Sequence, residues 1–269
     1  MIKESIKLYL EDYHSKADII KVWYIKEYLQ TLMLKQIYEY EAAKNLIFYG
    51  WTSIRFLFGL NRLSEDLDFI WQDFEDYQWL AEHIQKFFHS HNIQINTKIQ
   101  KFRIILNFKD FLNDFDLSFG NSKDLYIKIE ISDHFDFCKN YNIQLYPIFK
   151  LNQSLVIKSL DKASLFATKI NAVLYRNWEK QIWTDKITVK WRDIYDLFWY
   201  LSNWFEPNID CIDWISSKQD LKEKLDYTIK NIDFDEVVLD IENFVEDKSI
   251  IDFMKDNWKD YILENISNL

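Results

Sequence analysis

The chain has 269 residues, is 48% hydrophobic and carries a formal net charge of −10, which is apolar material enough for one large core or two modest ones, with two domains the expected arrangement. Two cysteines, Cys138 and Cys211, are too few for a disulfide scaffold or a C-x-x-C metal site, and neither marks a nucleophile. No apolar run is long enough to span a bilayer and no signal-peptide core follows Met1-Ile2-Lys3-Glu4-Ser5, so the expectation is a reducing cytoplasm and no membrane contact.

Apolar residues recur at helical spacing from about Ala17 to Lys44, which predicts an N-terminal helix. Asn45-Leu46-Ile47-Phe48-Tyr49 reads as a strand, Gly50 to Ser53 as a tight turn, and Thr52 to Leu60 as a short helix ending near Gly59. Ser64-Glu65-Asp66-Leu67-Asp68-Phe69 follows as a strand, then a helix from Glu75 to His91 and strands near Ile93 to Ile99, Phe102 to Phe108 and Leu125 to Ser132. Asn113, Asp114, Gly120, Asn121 and Ser122 mark turns between them. After Pro147 come a short strand at Leu155 to Lys158, a helix from Asp161, and mainly helical sequence to Leu269. This order predicts an α+β fold, with a mixed sheet and flanking helices over residues 1–150 and a helical domain over 151–269.

Asp66 and Asp68 stand at i and i+2 on their strand, so both side chains leave from one face. Two carboxylates about 4 Å apart repel by roughly 4 kcal/mol at an effective dielectric near 20, so a site that keeps both ionised holds a cation. Mg2+, or Mn2+, suits such a pair: it takes one or two carboxylates and completes its shell from water and phosphate oxygens. The alternative is a solvated turn with two surface aspartates. The helix after Gly50 would present unpaired backbone N–H groups to a triphosphate. The five histidines show no metalloprotease spacing, and His83, His89 and His91 read as a solvated helix end.

Charge is unevenly spread. Residues 150–192 hold nine Lys/Arg against three acids, whereas after residue 192 Asp and Glu outnumber Lys 19 to 7. The basic middle could attract nucleotide and an RNA backbone, or be a solvated face, and the acidic end argues against indiscriminate nucleic-acid binding.

With the turn and the Asp-x-Asp strand in view, the sequence resembles the nucleotidyltransferase superfamily and, within it, the AbiEii/AbiGii toxins. That family carries a G-G-T-(A/S)-(L/I) turn followed by R-x-S-x-D-(I/L)-D-(F/L), matched by Gly50, Thr52, Ser53 and Ile54, then Arg62, Ser64, Asp66, Asp68 and Phe69. Lys128-Ile129-Glu130-Ile131 looks like the family's K-(I/L)-E-(I/V) strand, whose acid is the third carboxylate of the fold; read alone, Glu130 is a polar residue on a half-buried strand. Lys169 to Arg176 resembles the helix K-(L/I)-x-A-(L/V)-x-x-R, and Arg192-Asp193-Ile194-Tyr195-Asp196-Leu197 resembles R-D-x-Y-D-L. Lys169, Ala172 and Arg176 share a helical face, as do Asp193 and Asp196, so the alternative is an ion-pair seam between two helices.

The resemblance implies a toxin that transfers a nucleoside monophosphate from an NTP to an acceptor, plausibly RNA at a tRNA 3′ end, and a cognate antitoxin. Asp66, Asp68 and Glu130 would be the metal ligands and catalytic acids. Gly50, Thr52, Ser53 and Ser64 would bind the nucleotide, Lys169 would offset charge on the triphosphate, and Asp193 would complete the site from the helical domain. Rival readings are a same-fold enzyme that modifies a protein or transfers phosphate, and a non-catalytic nucleotide- or partner-binding module.

Trp51 departs from the family pattern, standing where the second glycine of the turn is expected; an indole there would crowd the phosphates and forbid a left-handed backbone. Glycine occurs only 3 times in 269 residues and tryptophan 11 times, the reverse of usual composition. Trp51, Trp178, Trp183, Trp191 and Trp204 sit in turn-like contexts that suit glycine. Either a UGA codon is read as glycine in the source and translated here as tryptophan, or the chain is a Trp-rich variant with an altered site.

Overall fold

The computed structural model describes residues 1–71, 74–132, 138, 140–175, 191–232, 241 and 243–269. The chain divides into two compact units, Met1–Phe135 with Ile143–Ser159, and Asp136–Asn142 with Leu160–Leu269. Residues 151–159, expected in the second domain, therefore belong to the first unit.

The first unit is built on helices α1 (Ile2–Glu11) and α2 (Asp18–Glu39) and on a seven-stranded mixed sheet. Its strands are β1 (Ile47–Tyr49), β2 (Leu67–Ile70), β3 (Ile95–Gln100), β4 (Arg103–Phe108), β5 (Leu125–Ser132), β6 (Ile143–Lys150) and β7 (Gln153–Leu160), in the order β3-β4-β5-β2-β1-β7-β6. β2 and β5 run parallel, as do β1 and β7, while β1 with β2, β3 with β4 and β4 with β5 are antiparallel. Helices α3 (Gly50–Phe58) and α4 (Tyr77–Ser90) complete the unit.

Strict alternation makes β5 readable in the sequence. Leu125, Ile127, Ile129 and Ile131 are buried in the core, so Tyr126, Lys128, Glu130 and Ser132 take the opposite face. α2 is buried without interruption from Val22 to Leu34, as a helix hydrophobic nearly all round must be. The polar residues it carries inward then need partners: Thr31 donates to the Glu27 carbonyl, Gln30 donates to the Ser64 and Glu65 carbonyls, and Glu27 meets Arg55 and Lys150.

Two elements depart from expectation. α1 precedes the predicted N-terminal helix, and β6 forms although Pro147 lies within it. Proline cannot donate to a ladder, and β6 is an edge strand of the sheet, where a missing donor costs least.

In the second unit, α5 (Lys162–Tyr175), α6 (Trp191–Ser202), α7 (Lys218–Asn231) and α8 (Lys248–Ile266) pack as α5 on α6 and α7, and α8 on α6 and α7. Phe166 of α5 and Tyr200 of α6 stack with centroids 4.1 Å apart. Cys138 and Cys211, which the sequence leaves as separate thiols, are joined as a disulfide across 73 residues. Among the described residues no helix is long and apolar enough to cross a membrane.

Candidate active site

The site grows out of the β1–α3–β2 segment. β1 enters α3 directly through Gly50, whose φ of +74° lies in the left-handed region that side chains disfavour. Space is the second reason for glycine there. A Cβ at residue 50 would clash with the Asp68 Oδ2 and lie 3.0 Å from Asp68 Cβ and Cγ. The Asp68 carboxylate therefore rests on the bare α-carbon of Gly50, beside the N-terminus of α3, which no side chain caps. Gly50→Ala should lose activity and roughly 1–3 kcal/mol of stability, because both the backbone and Asp68 must shift; a denaturant midpoint equal to that of the parent would show the close approach to be dispensable.

Three hydroxyls fix the turn. Thr52 Oγ1 is hydrogen-bonded to Ser64 Oγ at 2.7 Å and to the Asp66 carbonyl, and Ser53 Oγ donates to the Gly50 carbonyl at 2.7 Å. Thr52 and Ser53 are fully buried. Of the four residues expected to bind the nucleotide, Thr52 and Ser53 use their hydroxyls as internal ties.

Asp68 pairs in register with Tyr49 on β1 and with Glu130 on the parallel β5, so Asp68 and Glu130 stand side by side on one face. Asp66 lies one residue ahead of β2. Lys128 Nζ reaches Asp66 Oδ2 at 3.3 Å, and Arg103 Nε reaches Glu130 Oε1 at 3.5 Å from the neighbouring β4. Burial holds the Asp66 carboxyl above its ordinary range against the pull of Lys128, and the Glu130 charge raises it further. Burial also depresses the Lys26 ammonium, which lies over the Trp23 ring at 4.4 Å while Glu65 and Asp66 attract it.

The donors of the Asp66 and Asp68 pair are hard oxygens, one or two of which suit Mg2+ or Mn2+ when phosphates complete the shell. Among the described residues no three acidic, His or Cys side chains form a group that could hold an ion. Of the three acids expected as ligands, Asp66 is paired with Lys128 and Glu130 with Arg103. These basic partners escape a sequence reading because only the strand register brings them together; the alternation that put Lys128 and Glu130 on one face was the available signal.

Lys169, Asp193 and Asp196 belong to the second unit, on the packed helices α5 and α6, and all three are buried. Arg176 lies outside the described residues, as do Trp178 and Trp183. Lys169 is buried where α5 packs on α6, so Lys169→Ala should cost about 1–3 kcal/mol of folding stability. A urea midpoint within error of the parent would exclude that.

A family model described as "Nucleotidyl transferase AbiEii toxin, Type IV TA system" matches residues 32–268. Among solved structures, JHP933 from Helicobacter pylori is similar at 17% identity over 91% of this chain and 93% of that one, with a TM-score of 0.48. A second H. pylori protein, provisionally described as a nucleotidyltransferase, is similar at 18% identity over 90% of this chain and 95% of that one, also with a TM-score of 0.48. No curated protein matches.

Proposed function

Since the chain belongs to the AbiEii nucleotidyl transferase toxin family, we propose that it transfers a nucleoside monophosphate from an NTP to an acceptor hydroxyl, with release of pyrophosphate. The observation that carries this reading is the Asp68 carboxylate seated on Gly50 at the start of α3. One residue stretch thereby sets a carboxylate pair beside a helix N-terminus, where a triphosphate and its cation can be held together.

A divalent cation carried by Asp66 and Asp68 would supply charge neutralisation on the triphosphate. The first turn of α3 receives phosphate oxygens through backbone N–H groups, with Thr52, Ser53 and Ser64 holding that turn rigid. Lys128 exchanges its contact with Asp66 for one with the incoming phosphates, and Glu130 accepts the proton of the acceptor hydroxyl as its oxygen bonds the α-phosphorus. RNA, at a tRNA 3′ end, is the acceptor proposed, in the cytoplasm and under the control of a cognate antitoxin.

Incubation with each NTP labelled in turn at the α- and γ-phosphate, with Mg2+ or Mn2+ and with total RNA and lysate protein, tests the reading. Label from the α-phosphate in RNA is the expected result. Label in protein would establish the same chemistry on a different acceptor, label from the γ-phosphate would establish phosphotransfer, and no label in any fraction would leave a binding module.

A further inference from the structure

All three glycines of the chain, Gly50, Gly59 and Gly120, have φ between +59° and +79°. Glycine is used here only where the backbone is left-handed. Among the described residues that region also holds Asn92, Asp110, Asp116 and Asn152, types that tolerate it, together with Leu151, Trp204 and Trp214. Leu151 packs against the core of the first unit, which offsets its backbone cost. The two tryptophans are largely in solvent: Trp204 is 70% exposed, and Trp214 is 78% exposed with a single edge-to-face contact to Tyr175 at 5.0 Å.

The local hydrogen bonds identify both positions. After α6, Phe205 N–H donates to the Tyr200 carbonyl at 3.2 Å and Trp204 N–H to the Leu201 carbonyl at 3.0 Å. That paired pattern is the Schellman helix ending, with Trp204 at the left-handed position that glycine usually occupies. At the second site Ile215 N–H donates to the Ile212 carbonyl, so Trp214, with φ +52°, is the third residue of a β-turn, where a positive φ again calls for glycine. Trp23, Trp199 and Trp258 are different: they are buried within α2, α6 and α8. The tryptophans thus include packed helical residues and exposed residues on glycine positions.

We infer that positions 204 and 214, and with them 51, are glycine in the native protein, their codons being UGA read as glycine in the source. Translating such a gene with a code that assigns UGA to tryptophan writes tryptophan at these positions. Trp51 has no positive φ and its ring stacks on the guanidinium of buried Arg62, 4.0 Å from ring centroid to guanidinium carbon, so the assignment there rests on the G-G-T turn of the family pattern and not on backbone strain. Glycine at 51 removes that ring and opens the first turn of α3 to a triphosphate, a consequence that rests on the function proposed above; the assignments at 204 and 214 do not.

Sequencing the gene from source DNA, with peptide mass spectrometry of the native protein, tests the inference. UGA codons and glycine masses at 51, 204 and 214 are expected; UGG codons, or tryptophan masses from UGA, would overturn it. In the chain as written, Trp204→Gly and Trp214→Gly should each shift the folding equilibrium roughly fivefold or more toward the native state by relieving left-handed strain, while Trp199→Gly should destabilise. Loss of stability in both turn variants would count against glycine there. Trp51→Gly should tighten binding of a non-hydrolysable ATP analogue in calorimetry. Stabilisation at 204 and 214 without tighter binding at 51 would uphold the recoding and remove the phosphate role from the Gly50 turn.

Discussion

Asp68→Asn is expected to lower label transfer by about 10²–10³-fold, the range seen when one preorganised charge-stabilising group is removed, while the urea midpoint stays at the parent value. The substitution keeps the shape that rests on Gly50 and removes only the charge. Asp68 is not part of the buried core and stands on the polar face beside Glu130, so little packing depends on its ionisation. Calorimetric titration with Mn2+ gives a readout independent of turnover: affinity should fall together with transfer. Full activity in this variant would remove the carboxylate pair from the mechanism.

The largest stability effect is expected at Glu27. Its carboxylate is buried in α2 between Arg55 Nε, 2.5 Å away on α3, and Lys150 Nζ, 2.5 Å away on β6. Burial alone would raise its pKa, but the two cations outweigh it and hold the carboxyl below its ordinary value of 4.5. A depressed folded pKa means that the stabilisation is complete above the unfolded value and is lost as pH falls through the folded one. Unfolding free energy should therefore drop as the solution is acidified below about pH 4.5, and the Glu27→Gln variant should lack that share of the slope. At neutral pH Glu27→Gln should cost about 3–5 kcal/mol, since it strands two cations in a site that only a carboxylate compensates. Because Arg55 lies in the helix that Gly50 starts, transfer should fall too. A chemical-denaturation midpoint unchanged at pH 7 would show that the cluster is neutral in stability.

Periodicity made most of the sheet and its polar face legible. The alternation of Leu125 to Ser132 defined β5 to the residue. β6 was hidden by Pro147 and by a run of residues that stay largely exposed, which mimics a loop until the edge of a sheet explains it. What the site does with its hydroxyls was not legible at all. Ser53 looks like a phosphate ligand in any one-dimensional reading, and only the buried bond to the Gly50 carbonyl shows that its donor is already committed. Likewise Lys128 and Arg103 became counter-charges for Asp66 and Glu130 through register, a property of pairs of strands that no single strand encodes. The motif helices raised the opposite problem: Lys169 and Arg176 share a helical face with Ala172, and Asp193 shares one with Asp196, which leaves a cleft or a seam open in sequence, whereas Lys169, Asp193 and Asp196 are all interior.

The path of the backbone bears on how such a gene can be inherited. It passes between the two compact units three times, because residues 136–142 leave the sheet-bearing unit and return to it before the final helices begin. A recombination crossover near codon 160 would pair that short excursion with foreign helices, and Cys138 would lose Cys211 as its mate. Exchange of the C-terminal helices at that point thus separates two segments that one compact unit holds together.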